Sequence, residues 1–254
     1  MEKRRLKLIE KKDLYFAGTM WRLRFEAPDI EAEPGQFVNI AVDGQYLRRP
    51  ISVSDYRDGV LELIVAPVGE GTRKIVAAPV GYEFDMLTGL GNRFTLDPPS
   101  KNVVLFGGGV GYAPLVGLLH RLSEKKYNVT AFFGFNAERD VPFFHICRLM
   151  DRYGMATVVL STMTGEMGER GNPLEVAARH YELFNFKPEY FYACGPMPML
   201  KAVCGHCDFP GEVSLEARMG CGFGACVGCT IETKEGPRRI CKEGPVFSST
   251  VLNF

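Results

Sequence analysis

The chain has 254 residues, a length that suits two compact domains plus a small module. Its 30 lysines and arginines are matched by 30 aspartates and glutamates, so no overall basic field recruits nucleic acid. The start, Met1-Glu2-Lys3-Arg4-Arg5-Leu6-Lys7, lacks the apolar core of a secretory signal, and the uncharged stretch from Asn102 to Leu119 is broken by five glycines and Pro114, so neither export nor a membrane span is expected.

From Arg5 to about Leu96 the chain predicts short strands with period-two alternation, such as Trp21–Phe25 and Gln36–Val42, set off by Pro, Gly and Asp turns. That pattern is expected to close into a small antiparallel barrel. Within it, Arg49-Pro50-Ile51-Ser52 puts a cation and a hydroxyl three residues apart around a proline that keeps the strand extended. Such a segment can clamp a phosphate through Arg49 and hydrogen-bond a flavin ring through Ser52; taken alone it fits an ordinary strand end with a surface arginine equally well. The strand Leu61–Ala66 then runs into Gly69-Glu70-Gly71-Thr72, where Gly71 permits close approach and Thr72 can cap a short helix whose free N–H groups suit a pyrophosphate.

The polar, Pro-rich Asp97–Lys101 marks a boundary, after which continuous apolar strands at 102–106, 129–135, 156–161 and 189–193 alternate with helices. This predicts a parallel α/β domain, and a last strand near 212–215 leads on. Gly107-Gly108-Gly109-Val110-Gly111 follows the first strand, its glycines admitting a dinucleotide backbone near a helix N-terminus. Tyr112 stands where a Rossmann loop has its third glycine. After the second strand, Glu138 is placed to bind ribose hydroxyls and repel a 2′-phosphate, favouring NAD over NADP; Arg139 works against this, and a solvated charged loop is an equal reading. Cys194, followed by Gly195, has no histidine near it in sequence and reads as a small residue rather than a nucleophile. Cys204-Gly205-His206-Cys207 looks like a dithiol motif, but a helix precedes it where redox motifs need a strand before and a helix start after.

Near the C-terminus Cys221, Cys226, Cys229 and Cys241 are spaced C-x4-C-x2-C-x11-C in a glycine-crowded run. Thiolates suit iron and sulfide, and the glycines let backbone N–H groups point at the sulfurs, as a [2Fe–2S] cluster requires. A zinc knuckle is the alternative, although zinc sites usually pair two short C-x2-C turns. With four of the eight cysteines so used and no export signal, a reducing cytoplasm is the expected location.

In this order, Arg49-Pro50-Ile51-Ser52, Gly69-x-Gly71-Thr72, Gly107–Gly111, Cys194-Gly195-Pro196-x2-Met199 and the four cysteines resemble the ferredoxin reductase family, most closely its branch containing electron-transfer subunits of class B dihydroorotate dehydrogenase. The resemblance covers essentially the whole chain. It implies an FAD-binding barrel over 1–98, an NAD-binding α/β domain over 99–212 and a [2Fe–2S] module over 213–254. It further implies FAD along Arg49, Pro50, Ile51 and Ser52, main-chain contacts from Ile64, Val65 and Ala66, the diphosphate at Gly71 and Thr72, and NAD at Gly107, Gly108, Gly109 and Gly111, with Cys194 and Gly195 beside the nicotinamide. In the resembled system an FMN-containing catalytic subunit oxidises dihydroorotate to orotate, and two of each subunit form a heterotetramer. Electrons enter singly at the cluster and leave as hydride, which needs a flavin between them. The alternatives are a related subunit of a ferredoxin–NADP oxidoreductase or sulfur-reducing hydrogenase complex, or a non-enzymatic zinc-knuckle regulator.

Overall fold

The computed structural model describes residues 1–15, 17–152 and 156–254. Six strands, β1 (Glu2–Asp13), β2 (Trp21–Glu26), β3 (Phe37–Ile40), β4 (Arg49–Arg57), β5 (Val60–Val65) and β6 (Glu83–Leu90), close an antiparallel barrel in the order β1-β2-β5-β4-β3-β6, with helix α1 (Glu70–Ala77) between the last two. Alternation drives closure. Along β6 the side chains of Phe84, Met86, Thr88 and Leu90 are buried while their neighbours are not, so one face of each strand fills the barrel with Leu8, Phe25, Leu61 and Ile40.

The second layer comprises β7 (Asn102–Gly108), α2 (Ala113–Glu124), β8 (Asn128–Phe135), α3 (Phe143–Arg152), β9 (Ala156–Thr162), β10 (Glu169–Arg170), α4 (Pro173–Phe184), β11 (Tyr190–Cys194), α5 (Met197–His206) and β12 (Gly211–Ser214). The strands are apolar on both faces because helices cover both. Leu105, Phe133 and Ala131 pack with α2 and α3 on one side, and Val104, Phe106 and Phe132 pack with α4 and α5 on the other. The chain ends with a two-stranded ribbon, β13 (Thr230–Thr233) and β14 (Gly236–Arg239), and with β15 (Val246–Ser248).

The expected barrel and parallel α/β domain are both present. The large sheet runs β10-β9-β8-β7-β11-β12-β15, parallel throughout except that β15 pairs antiparallel with β12, Ser214 opposite Val246. The cysteine region expected as a separate module from 213 onward therefore returns a strand to the sheet. Its Cys229, Ile240 and Cys241 are buried in the same apolar cluster as Phe106 and Phe191. Barrel and sheet also meet closely: a Cβ on Gly117 of α2 would stand 2.6 Å from the Ser54 carbonyl oxygen of β4. Among the described residues no helix is long and apolar enough to cross a membrane.

Candidate functional site

Pairing between β4 and β5 runs from Arg57 opposite Val60 to Val53 opposite Leu63, with a register shift between Val53 and Asp55. Beyond that rung the two strands part and open a cavity of about 240 Å³ at the barrel's edge. Pro50, Ile51 and Ser52 line one side, Ile64, Val65 and Ala66 the other, with Thr72 at one end. Main-chain groups left unpaired along such a parting are the donors and acceptors that a planar heterocycle can use.

Arg49 does not line this cavity, but its guanidinium lies directly against Gly71, where any Cβ would collide with it. Gln45 Oε1 accepts from Arg49 Nη2 at 2.5 Å, and the Leu47 carbonyl accepts from Nη1. The first residue before α1 is Gly69. Thr72, three residues on, reaches back so that its hydroxyl accepts the Gly69 N–H at 3.0 Å and donates to the Gly69 carbonyl at 3.1 Å. Thr72 thus closes the helix start from its third position rather than standing in front of it. A fixed cation beside a helix N-terminus fits a diphosphate, so these residues suit FAD.

A second cavity, of about 570 Å³, opens at the carboxyl ends of the parallel strands and shares Ala66, Val68 and Val110 with the first. It lies where strand order turns outward from β7, to β8 on one side and β11 on the other, the place where open α/β sheets bind ligands. Gly108 and Gly109 line it together with Asn136, Asp140, Pro196 and Met199. The glycines divide by purpose. A Cβ on Gly111 would stand 2.6 Å from the Cys194 carbonyl oxygen and 2.6 Å from Gly195 Cα; one on Gly107 would meet Phe133 at 2.7 Å and Tyr112 Cα at 2.9 Å. These two answer to packing between neighbouring loops. Gly109, with φ +54° and nothing within 4 Å of its would-be Cβ, is the one that faces open space in a left-handed conformation.

Glu138 does not line either cavity. Its Oε1 accepts a hydrogen bond of 2.6 Å from the Tyr15 hydroxyl, and the adjacent Arg139 carbonyl accepts one of 2.9 Å from Thr19, so this loop is tied to the barrel's first turn. Asp140 is the acid on the cavity wall. Cys194 is buried at the end of β11, and burial pushes its thiol pKa far up, as suits a compact apolar residue rather than a nucleophile. Burial likewise holds Cys204 and Cys207 as thiols, with pKa values raised to about 11 and about 12.

Tyr112 is fully buried behind the glycine loop and shares a hydrogen bond of 3.0 Å with His145 Nδ1 of α3. His145 Nε2 lies 3.9 Å from Glu62 of β5, which in turn lies 3.8 Å from Arg22 of β2. Burial lowers the His145 pKa to about 3, so the imidazole is neutral. A buried polar row thereby crosses from the nucleotide-side loop to the barrel wall.

The four C-terminal cysteines associate as two pairs. Burial alone would raise the Cys221 thiol, but the main-chain N–H groups of Cys226, Phe223 and Ala225 and the Cys226 side chain bring it down to about 6. Ala225 N–H stands 3.2 Å from Cys221 Sγ and Cys226 N–H 3.4 Å. Cys241 and Cys229 form the other pair: Cys241 N–H donates to Cys229 Sγ at 3.4 Å, and burial together with the neighbouring Cys229 thiol pushes Cys241 up to about 12. Four thiols in two pairs, with peptide N–H groups aimed at the Cys221 and Cys229 sulfurs, are a donor set whose chemistry suits a [2Fe–2S] cluster, which Cys221, Cys226, Cys229 and Cys241 would hold. Gly222 at φ +79° and Gly224 at φ +92° allow the loop to curl this way.

Sequence reasoning missed the far wall of the barrel cavity. Ser214, Leu215, Glu216, Ala217 and Met219, on the way from β12 to the cysteines, line it with Phe37 and Pro245. The walls crowd Glu216, and lost hydration raises its carboxyl pKa. No local signal marks these residues; the antiparallel return of β15 brings Pro245 there, with its carbonyl accepting from Leu215 N–H at 2.9 Å.

Barrel, parallel sheet and cysteine loop around two adjoining cavities define an oxidoreductase of the ferredoxin reductase-like fold. Residues 216–253 match the iron–sulfur cluster binding domain of dihydroorotate dehydrogenase B, and residues 105–205 match the oxidoreductase NAD-binding domain. The electron transfer subunit of dihydroorotate dehydrogenase B (NAD(+)) from Desulforamulus reducens is 37% identical over 247 residues, 92% of each chain. Among solved structures, an NADH-dependent reduced ferredoxin-NADP oxidoreductase superposes with a TM-score of 0.82 at 24% identity, covering 98% of this chain and 89% of the other. A ferredoxin NADP+ reductase from Neisseria gonorrhoeae, with bound FAD and NADP, gives 0.65 at 16% identity over 79% and 88%. The chain belongs to the family of dihydroorotate dehydrogenase B electron transfer subunits.

Proposed function

We propose that this chain carries electrons from an FMN-containing dihydroorotate dehydrogenase catalytic subunit to NAD⁺, within a cytoplasmic heterotetramer that makes orotate for pyrimidine biosynthesis. The observation that supports this best is the adjacency of the parts: two cavities sharing Ala66, Val68 and Val110, with Met219 on the wall of one and Cys221 two residues further along the chain. FAD bound in the barrel cavity would supply the exchange between single electrons and hydride that neither NAD nor an iron–sulfur cluster makes alone.

On this reading region 1–98 holds FAD. Arg49, Gly71 and Thr72 receive its diphosphate, Pro50, Ile51 and Ser52 flank the ring, and Ile64, Val65 and Ala66 meet it through the main chain. Region 99–212 holds NAD over Gly108 and Gly109, while Gly107, Gly111, Cys194 and Gly195 keep the flanking loops close. Asp140 takes over the ribose role expected of Glu138, whose part is to tie the loop to Tyr15. Region 213–254 holds the [2Fe–2S] cluster through Cys221, Cys226, Cys229 and Cys241.

The test is anaerobic co-expression with an FMN-containing catalytic subunit. The expected product contains FAD, iron and sulfide in this chain and reduces NAD⁺ with dihydroorotate, while the chain alone oxidises NADH with artificial acceptors. A colourless chain fully loaded with zinc would refute the reading.

A further inference from the structure

Arg239 spans the cysteine region. Its Nη1 donates to the Gly224 carbonyl at 2.8 Å, inside the loop that carries Cys221, Cys226 and Cys229. Its Nε donates to Glu243 Oε2 at 3.0 Å and its Nη2 to Glu243 Oε1, two residues beyond Cys241. The Arg239 N–H also donates to Glu243 Oε2 at 2.7 Å, and the Glu243 N–H returns to the Arg239 carbonyl at 2.9 Å. One planar guanidinium therefore fastens the loop bearing three cysteines to the turn bearing the fourth, using the fork geometry that lysine cannot reproduce. The same turn leads on to Pro245 at the barrel cavity, and Asn92 Nδ2 holds it by donating to the Glu243 carbonyl at 3.1 Å.

We propose that Arg239 and Glu243 are a positioning pair that sets the reduction potential of the cluster, Arg239 raising it and Glu243 restraining it. The proposal rests on the reading of the four cysteines as [2Fe–2S] ligands. Reduction by one electron adds one negative charge to the cluster, so a nearby cation favours the reduced form and a nearby anion opposes it. Because the two charges are paired, removing either exposes the cluster to the field of the other.

The test is an EPR-monitored redox titration of the intact complex carrying R239Q, R239K, E243Q or the double substitution. R239Q is expected to shift the cluster's one-electron equilibrium toward the oxidised form by about tenfold, about 59 mV more negative. E243Q is expected to shift it the opposite way, the double variant to return toward wild type, and R239K to stay near it. A purely structural clasp would move R239Q and E243Q in the same direction without restoration in the double variant, and that result, or no shift in either, overturns the proposal. If R239Q fails to hold a cluster, the sign of the E243Q shift decides. A wild-type complex without the [2Fe–2S] signal would instead overturn the ligand assignment beneath it.

Discussion

Acid should destabilise this protein through one buried ring. His145 is 6% exposed, its pKa is lowered from 6.5 to about 3, and the groups that face it are Tyr112, Glu62, Arg22, Arg148 and Asp55. Between those two pH values the unfolded chain binds a proton at this position and the folded chain does not, so stability falls as pH drops below 6.5 and the loss is complete near the folded value. The slope approaches 1.4 kcal/mol per pH unit, which amounts to about 2 kcal/mol by pH 5. For a chain of this size that is about 4–8 °C in melting temperature. Glu62 acts in the opposite sense, because burial raises its pKa and the folded state takes up a proton there first. A comparison with His145→Gln isolates the histidine, since glutamine keeps an acceptor for Tyr112 but does not titrate. Thermal unfolding from pH 8 to 5 should show the wild-type curve falling more steeply than the variant's by about that amount. Parallel curves would refute the neutral buried imidazole and with it the polar row between loop and barrel.

Gly111→Ala should cost about 1–3 kcal/mol, because the Cys194–Gly195 backbone blocks the new methyl, whereas Gly109→Ala should cost only the strain of its left-handed backbone, about 1 kcal/mol, and raise the KM for NADH; unfolding and steady-state kinetics of the two variants check this division. Arg49→Ala should lower retained flavin, read from the absorbance ratio of the purified protein, and full flavin content would remove Arg49 from that site. Cys226→Ser should abolish electron exchange with the catalytic subunit while sparing NADH–flavin reduction in stopped flow; equal loss of both would contradict the proposed order of carriers.

The barrel and the parallel sheet were legible because each pattern is local: β6 alternates along a single strand, and Val103–Phe106 is apolar without interruption. The cysteine spacing was legible for the same reason. What stayed hidden depends on partners far along the chain. Glu138 looks free until Tyr15, 123 residues away, engages it. Gly107 and Gly111 read as space for a ligand, while the structure fills that space with Phe133, Tyr112 and the Cys194–Gly195 loop. Residues Ser214 to Met219 carry no motif, and only the pairing of Glu212 with Ser248 reveals that they form a cavity wall.

The rung that joins Ser214 to Val246 also makes residues 215–245 a closed excursion, leaving and rejoining the sheet at adjacent positions. A stretch with neighbouring ends can be shortened, lengthened or exchanged wholesale without rethreading the strands that anchor it. The cysteine region of this chain is threaded through a single seam, yet any replacement would have to rebuild the cavity wall that Leu215, Glu216, Ala217, Met219 and Pro245 supply.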